Sequence, residues 1–331
     1  MNLEWIREAF LLPGHITEYQ MLTNGGIHET CQIRLSTGKQ YIFQHMNLHV
    51  FPHPETVMQN ISHVTAYLSK FSDMQTLQFY QTAQKEYFFH GWRIMDYIPG
   101  YSLPTMTDLN QIHQAGKAFG QFQSRVSQMD SRCLLPVIPA FHDTEAYFRK
   151  LSALGDSSEE TQVLMHWQKQ ACSVMNTVPA LPHIITHNDM KCSNLLFDRQ
   201  THQPIAVIDL DTVMPGLAVY DFGDAVRSIA VNADRSGIDL EKFKAFVSGW
   251  LLEMQYSSEE TSLLIPAVFA VTVELAVRYL TDYLQGNLYF KVSFPEQSRI
   301  KAGKLIHLAQ DILQQETEMQ KFIIHESEVI S

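Results

Sequence analysis

The chain has few cysteines, no basic cluster and no long unbroken apolar segment, and each absence removes a class of protein. Its four cysteines (Cys31, Cys133, Cys172 and Cys192) are scattered through 331 residues without a C-x-x-C pair. A disulfide framework is therefore not expected, and free thiols in a reducing cytosol are. Lys plus Arg number 24 against 35 Asp plus Glu, a net charge of −11, with no basic stretch interleaved with aromatics, so nucleic acid is not an expected partner. The longest apolar run, Leu263 to Val273, is broken by Pro266 and Thr272 and followed by Glu274, which predicts a buried helix rather than a membrane span. The opening MNLEWIREAF has acidic residues where a signal peptide carries an apolar core, so a cytoplasmic location without a membrane partner is expected. Charged residues make up only 18%, too few for a disordered chain. Internal repeats and low-complexity tracts are also lacking.

What is present suits two compact lobes, since 331 residues with 45% hydrophobic content exceed one ordinary core. The first ninety-odd residues read as strand-rich. A turn at 22–26 leads to a strand from Thr30 to Leu35, and a turn at 36–39 leads to a strand from Gln40 to His45. Pro54 opens a helix through Leu68 with Val57, Ile61, Val64 and Leu68 on one face, and a further hairpin is expected near Tyr80 and Tyr87. After Asp96-Tyr97-Ile98-Pro99-Gly100 the pattern turns helical, which predicts lobes at 1–96 and 97–331. Ile112, Ala115, Phe119, Phe122 and Val126 recur at three- and four-residue spacing, and helical patterns run over 161–176, 240–253, 259–285 and 296–323.

The segment that carries chemistry begins His187-Asn188-Asp189-Met190-Lys191-Cys192-Ser193-Asn194. It continues as an apolar strand 195–197, a polar turn, and a second strand 205–208 ending at Asp209. Phosphoryl transfer needs a carboxylate to orient the attacking hydroxyl, oxygen ligands for magnesium on the phosphates, and a cation near the γ-phosphate. A loop followed by a hairpin delivers these together. Asp189 lies in the loop, Asn194 at its exit, and Asp209 returns to the same place. Lys191 can reach the transferred group, and His187 braces the loop.

H-x-D-x-K-x-x-N followed by a strand ending in Asp resembles the protein-kinase-like catalytic core, and more narrowly the aminoglycoside phosphotransferase and choline kinase superfamily. The strings 207–216 (VIDLDTVMPG), 220–227 (YDFGDAVR), 41–47 (YIFQHMN) and 278–283 (RYLTDY) are similar to the N-acetylhexosamine 1-kinases. The resemblance covers essentially the whole chain. It implies an α+β, bilobal protein-kinase-like fold with a small antiparallel-sheet N-lobe and a larger, mostly helical C-lobe. It implies ATP as co-substrate, Mg2+ as cofactor and a small sugar as acceptor.

Carried onto this sequence, the resemblance implies Asp189 and Lys191 as catalytic residues, Asp189 also meeting the acceptor. Asn194, Asp209 and Asp211 become metal ligands, although Asp211 reads equally well as a loop carboxylate making turn bonds. Asp221-Phe222-Gly223 spells the protein-kinase metal triplet but lies too far beyond Asn194, so a structural role is expected for Asp221. Gly25 and Gly26 could cover phosphates with backbone amides or form an ordinary hairpin turn. Gln44 stands where most kinases carry a lysine and is read as a polar phosphate contact. Backbone groups of Met95, Asp96 and Tyr97 should meet adenine. Arg278, Tyr289 and Arg227 are read as acceptor-pocket residues rather than surface or core-edge ones. His45, His49 and His53 cannot share a helical face, because Pro52 and Pro54 interrupt it. Cys192 is read as a small filler.

The expected activity is transfer of the γ-phosphate of ATP to the anomeric (C1) hydroxyl of GlcNAc or GalNAc. The other acceptors to be weighed are choline, an aminoglycoside, homoserine and methylthioribose. A catalytically inactive nucleotide-binding regulatory module is the alternative of a different class.

Overall fold

The computed structural model describes residues 3–22, 27–174, 181 and 183–330. Helix α1 (Leu3–Ala9) precedes an antiparallel sheet of β1 (Ile16–Leu22), β2 (Glu29–Leu35), β3 (Gln40–His45) and β4 (Trp92–Asp96), in the order β1-β2-β3-β4. Alternation gives this sheet two faces. Cys31, Ile33, Leu35, Tyr41, Phe43, Trp92 and Ile94 pack with Ile6, Phe10 and Leu12 into a core of their own. On the opposite face Thr30 stands across from Gln44, and Gln44 across from Arg93. That polar row faces the rest of the molecule.

Helix α2 (Pro54–Leu68) starts on its proline, as the sequence predicts. Its buried residues Val57, Ile61 and Val64 join the larger core, not the sheet's core. The hairpin expected near Tyr80 and Tyr87 is not made of two strands. Phe79 and Phe89 each form a single bridge to β4, with a turn between Thr82 and Glu86. The segment 81–86 lacks alternating apolar residues, and Lys85 sits at positive φ, so it remains a loop along β4.

Beyond β4 the chain is mostly helical: α3 (Leu109–Val126), α4 (Thr144–Ala153) and α5 (Glu159–Ala171) come first. Short strands β5 (Ile184–Thr186), β6 (Leu195–Phe197), β7 (Pro204–Val207) and β8 (Met214–Gly216) follow. Helices α6 (Ala218–Ile229), α7 (Leu240–Leu251), α8 (Ser258–Leu284) and α9 (Gln297–Ile330) complete the chain. The fold is α+β and protein-kinase-like, a small antiparallel sheet joined to a larger helical part.

Every residue of helix α6 but Asp224 is buried, the polar Asp221, Arg227 and Ser228 included. Helix α8 starts with a capping box of Ser257 and Glu260. It is long and apolar enough to cross a membrane, but most of it is packed inside the fold. Helices α3 and α7 cross backbone to backbone. A Cβ on Gly116 would meet the Phe246 carbonyl at 2.1 Å, and one on Gly249 the His113 carbonyl at 2.0 Å. The crossing fixes α3, whose Gln123 donates to the Ile185 carbonyl (3.0 Å) and whose Phe122 meets the His187 ring edge-on. The helical scaffold thereby reaches the loop that follows β5.

Candidate active site

The loop between β5 and β6 is held by its backbone. Asn188 has φ 62° and Asp209 φ 64°, both left-handed and uncommon for residues with a Cβ. Asp221, buried in the first turn of α6, accepts hydrogen bonds from the amides of His187 and Asn188, each at 2.7 Å. Burial pushes its carboxyl up to about 6, against the pull of His187 and these two amides. Thr212 donates to the His187 carbonyl (2.7 Å), and Asn188 Nδ2 to the Thr212 carbonyl (2.9 Å). The His187 ring sends its Nε2–H to the Ile208 carbonyl at 3.0 Å. Loop 187–194 and the return at 208–212 are thus one hydrogen-bonded unit.

On that unit four of the expected residues converge. Lys191 Nζ lies 2.5 Å from Asp189 Oδ2 and 3.9 Å from Asp209 Oδ2. Asn194 Nδ2 donates to the Asp189 carbonyl (2.9 Å) and to its Oδ2 (3.1 Å). Burial works against the Lys191 ammonium, but Asp189 and Asp209 more than offset it and hold the lysine above its ordinary value. Asp189 and Asp209 keep 29% and 37% of their side chains exposed, so the carboxylates stay open to a ligand. Asn194 Oδ1, on a buried side chain, and the partly exposed Asp209 carboxylate are hard oxygen donors. That donor set fits magnesium, which binds one or two protein groups and completes its shell with phosphates and water. Asp209→Asn should therefore raise the magnesium concentration needed for half-maximal activity. Asp221→Asn should chiefly lower the melting temperature, because one buried amide then faces an amide nitrogen instead of an acceptor. Metal titrations and thermal melts of the two variants check this pair; the reverse pattern would exchange their roles.

Asp211 is not with them. Its carboxylate is 4% exposed and takes the guanidinium of Arg93 at 2.7 and 2.8 Å and His28 Nε2 at 2.5 Å. Its oxygens are spent on this ion cluster, which corrects the expectation of a metal ligand. Burial opposes the Asp211 charge, but Arg93 and His28 hold the carboxyl well below the usual range. Gln44 is half-buried on the same face, its Oε1 accepting from Arg93 Nε at 2.9 Å. Gly25 and Gly26 lie outside the described residues. Along the expected adenine edge, the Asp96 amide already donates to the Gln78 carbonyl (2.9 Å) and Met95 pairs with Ile42. That leaves the Asp96 carbonyl and the Tyr97 backbone for a base. The Asp96 carboxylate accepts from Tyr80 (2.7 Å) and pairs with Lys39 (3.3 Å).

A second cluster lies on the helical side, joined to the first by α6. Asp224 forms an i,i+3 pair with Arg227, and its charge bears on Lys191 and on His142. Tyr220 stacks on the His142 ring (4.9 Å between centroids), and His142 Nδ1 meets Glu274 Oε1 at 3.1 Å. Thr144 donates to Glu274 Oε2 at 2.9 Å. Burial opposes the Glu274 charge, but His142 and Arg278 keep its carboxyl below the ordinary range. One turn further along α8, Arg278 sits among the rings of Phe141, Tyr147, Tyr289 and Phe290, at 5.3 to 6.0 Å from their centroids. Asp282 builds the far wall by accepting the amides of Tyr289 (2.7 Å) and Phe290 (3.0 Å).

Sequence reasoning missed His28, Arg93, His142, Tyr147, Asp224 and Glu274. A charged residue inside an apolar strand (Arg93) or closing an apolar run (Glu274) was the available signal. Cys192 is buried, its thiol pushed up to about 12 by burial, which fits an inert filler.

Residues 19–251 match the profile of the phosphotransferase enzyme family. Among solved structures, the chain is similar to a microcompartment-associated aminopropanol kinase (TM-score 0.70, 16% identity, covering 96% of this chain and 99% of that one). It is also similar to a choline/ethanolamine kinase family protein from Mesorhizobium loti (TM-score 0.63, 13% identity, 99% and 100% covered). A third is the amicoumacin kinase hAmiN in complex with AMP-PNP, Ca2+ and Ami (TM-score 0.63, 14% identity, 95% and 94% covered).

Proposed function

This chain belongs to the phosphotransferase enzyme family, and on that premise we propose that it transfers the γ-phosphate of ATP to the anomeric hydroxyl of an N-acetylhexosamine, giving the 1-phosphate. The observation that carries phosphoryl transfer is the convergence of Asp189, Lys191, Asn194 and Asp209 on one braced loop and its return strand. Asp189 orients the acceptor hydroxyl and takes its proton. Lys191 faces the charge that develops on the transferred group. Asn194 and Asp209 would hold magnesium, which supplies neutralising charge to the phosphates when bound. Positioning and fixed charge carry most of the acceleration in this reaction class, so Asp189 need not be strongly basic. An inactive regulatory module would have no reason to keep these four groups in register.

The acceptor reading rests on the Arg278 box. Four aromatic rings around a cation are the arrangement that recognises quaternary or protonated amines. Here a guanidinium of the chain itself fills that place, 17% exposed. An amine acceptor of the kind named for the similar kinases would have to settle beside a fixed positive charge. A neutral sugar would not, and its amide oxygen could accept from Arg278, whose hydrogen bond to Tyr289 is long at 3.5 Å. Turnover of GlcNAc, GalNAc, choline and an aminoglycoside with ATP tests the class, and phosphorus coupling to the anomeric proton of the product tests the position. Coupling to the anomeric proton is expected; phosphate on O6 or preferred turnover of an amine would overturn the sugar 1-kinase reading.

A further inference from the structure

We propose that Arg93 is the positioning cation of the nucleotide site, acting through Gln44 from strand β4 in place of a lysine on β3. This rests on ATP being the phosphoryl donor. The argument starts from the sheet. Thr30, Gln44 and Arg93 stand opposite one another on three neighbouring strands and share the face from which Arg93 reaches Asp211. Arg93 is 2% exposed and cannot itself reach a solvent-held ligand. Its guanidinium is distributed over four groups. Two nitrogens donate to Gln44 Oε1 (2.9 and 2.5 Å), two reach the Asp211 carboxylate, one approaches Met58 Sδ on α2 (3.6 Å), and the plane lies over Phe79.

This arrangement fixes the Gln44 amide. With Oε1 facing a guanidinium, the orientation of the side chain is set by charge. The amide nitrogen then points the other way, spending one hydrogen on Thr30 Oγ1 (3.0 Å). Its second hydrogen has no acceptor among the described residues, on a side chain that is only half-buried, and is left for a ligand. A guanidinium on the carbonyl end withdraws electron density from the amide and strengthens that donor, so a neutral side chain presents part of a positive charge. Asp211 anchors Arg93, and His28 anchors Asp211. His28 Nδ1 accepts from the Asn47 amide (3.0 Å), so Nε2 carries the proton given to Asp211. Asp211 also lies two residues after Asp209, whose left-handed backbone sets the metal-side carboxylate. Sheet, α2 and the metal-side turn are thereby held by one buried ion pair. A lysine at position 44 would remove the acceptor that Arg93 uses and put a second cation against it.

The test compares Gln44→Met, Gln44→Lys, Arg93→Gln and the double variant Gln44→Lys/Arg93→Gln. Dissociation constants for ATP with magnesium are measured by calorimetry, and KM is measured separately for ATP and acceptor. Gln44→Met leaves the Arg93–Asp211 pair in place. It should weaken ATP binding and raise KM for ATP roughly 10- to 100-fold, the worth of a hydrogen bond to a charged group, without moving KM for the acceptor. Gln44→Lys and Arg93→Gln should each bind ATP more weakly than the parent. The double variant, with a single cation moved one strand over, should recover affinity to within about tenfold of the parent. Failure of Arg93→Gln to fold would leave Gln44→Met as the deciding variant, because it keeps the Arg93–Asp211 pair and removes only the amide donor; parent-like ATP binding by Gln44→Met would overturn the proposal. Parent-like ATP binding by Gln44→Lys alone, or no recovery in the double variant, would overturn the proposal while leaving the kinase reading intact. A parent protein that binds no nucleotide would overturn both.

Discussion

Asp189→Asn should slow phosphoryl transfer by at least ~10²-fold, the scale of a positioned general base, with little change in melting temperature. The two halves of this expectation come from different bonds. The side chain is engaged on one oxygen by Lys191 and Asn194, at 2.5 and 3.1 Å, and is partly open to solvent. An asparagine keeps its size but cannot take a proton, and with its amide turned toward Lys191 it would meet a donor with a donor. The loop does not depend on that carboxylate. Asp221 holds the amides of His187 and Asn188, Thr212 holds the His187 carbonyl, and Asn194 still reaches the Asp189 backbone carbonyl at 2.9 Å. Single-turnover rates with saturating ATP and acceptor, alongside thermal melts, check it. A well-folded Asp189→Asn protein with near-normal turnover would remove Asp189 from the chemistry.

The acetamido group should be read as strongly. GlcNAc or GalNAc is expected to exceed the matching plain hexose in kcat/KM by about 10²-fold or more, because a site that hydrogen-bonds a substrate group leaves its own donor unpaired when the group is missing. Arg278 is the donor proposed. It is caged by four rings, close to Glu274 (3.9 Å), and has few hydrogen bonds for a five-donor group. Arg278→Ala should erase most of the discrimination and raise KM for the sugar while leaving KM for ATP near its parent value. The alanine also leaves Glu274 with His142 and Thr144 as partners, so the carboxylate stays hydrogen-bonded and the fold should persist. Equal turnover of the plain hexose by the parent enzyme, or discrimination that survives in Arg278→Ala, would place acetamido recognition elsewhere.

Local order along the chain was enough to predict the kinase-like layout. Strand periodicity located β2 and β3, and Pro54 marked the start of α2. The spacing of Asp189, Lys191, Asn194 and Asp209 around a short hairpin is a local geometry, so the sequence determined that these four would meet. The polar residues of helix α6, Asp221, Asp224, Arg227 and Ser228, recur at helical spacing, but all except Asp224 are buried, so most of its polar face turns inward rather than to solvent. The fate of Asp211 and Gln44 could not be read in the same way. Only Leu210 separates Asp211 from Asp209, yet the Asp209 carboxylate is partly exposed and that of Asp211 is sealed against Arg93, 118 positions earlier in the chain. The cluster proposed for the acceptor is likewise assembled from Phe141, Tyr147, Glu274, Arg278 and Tyr289, on segments that only tertiary packing brings together. The sequence by itself determined which groups would meet, because they lie within one loop and the hairpin that follows it. Tertiary structure decided which charges are left free to meet a ligand, because a buried ion pair forms between whichever residues folding brings within hydrogen-bonding distance.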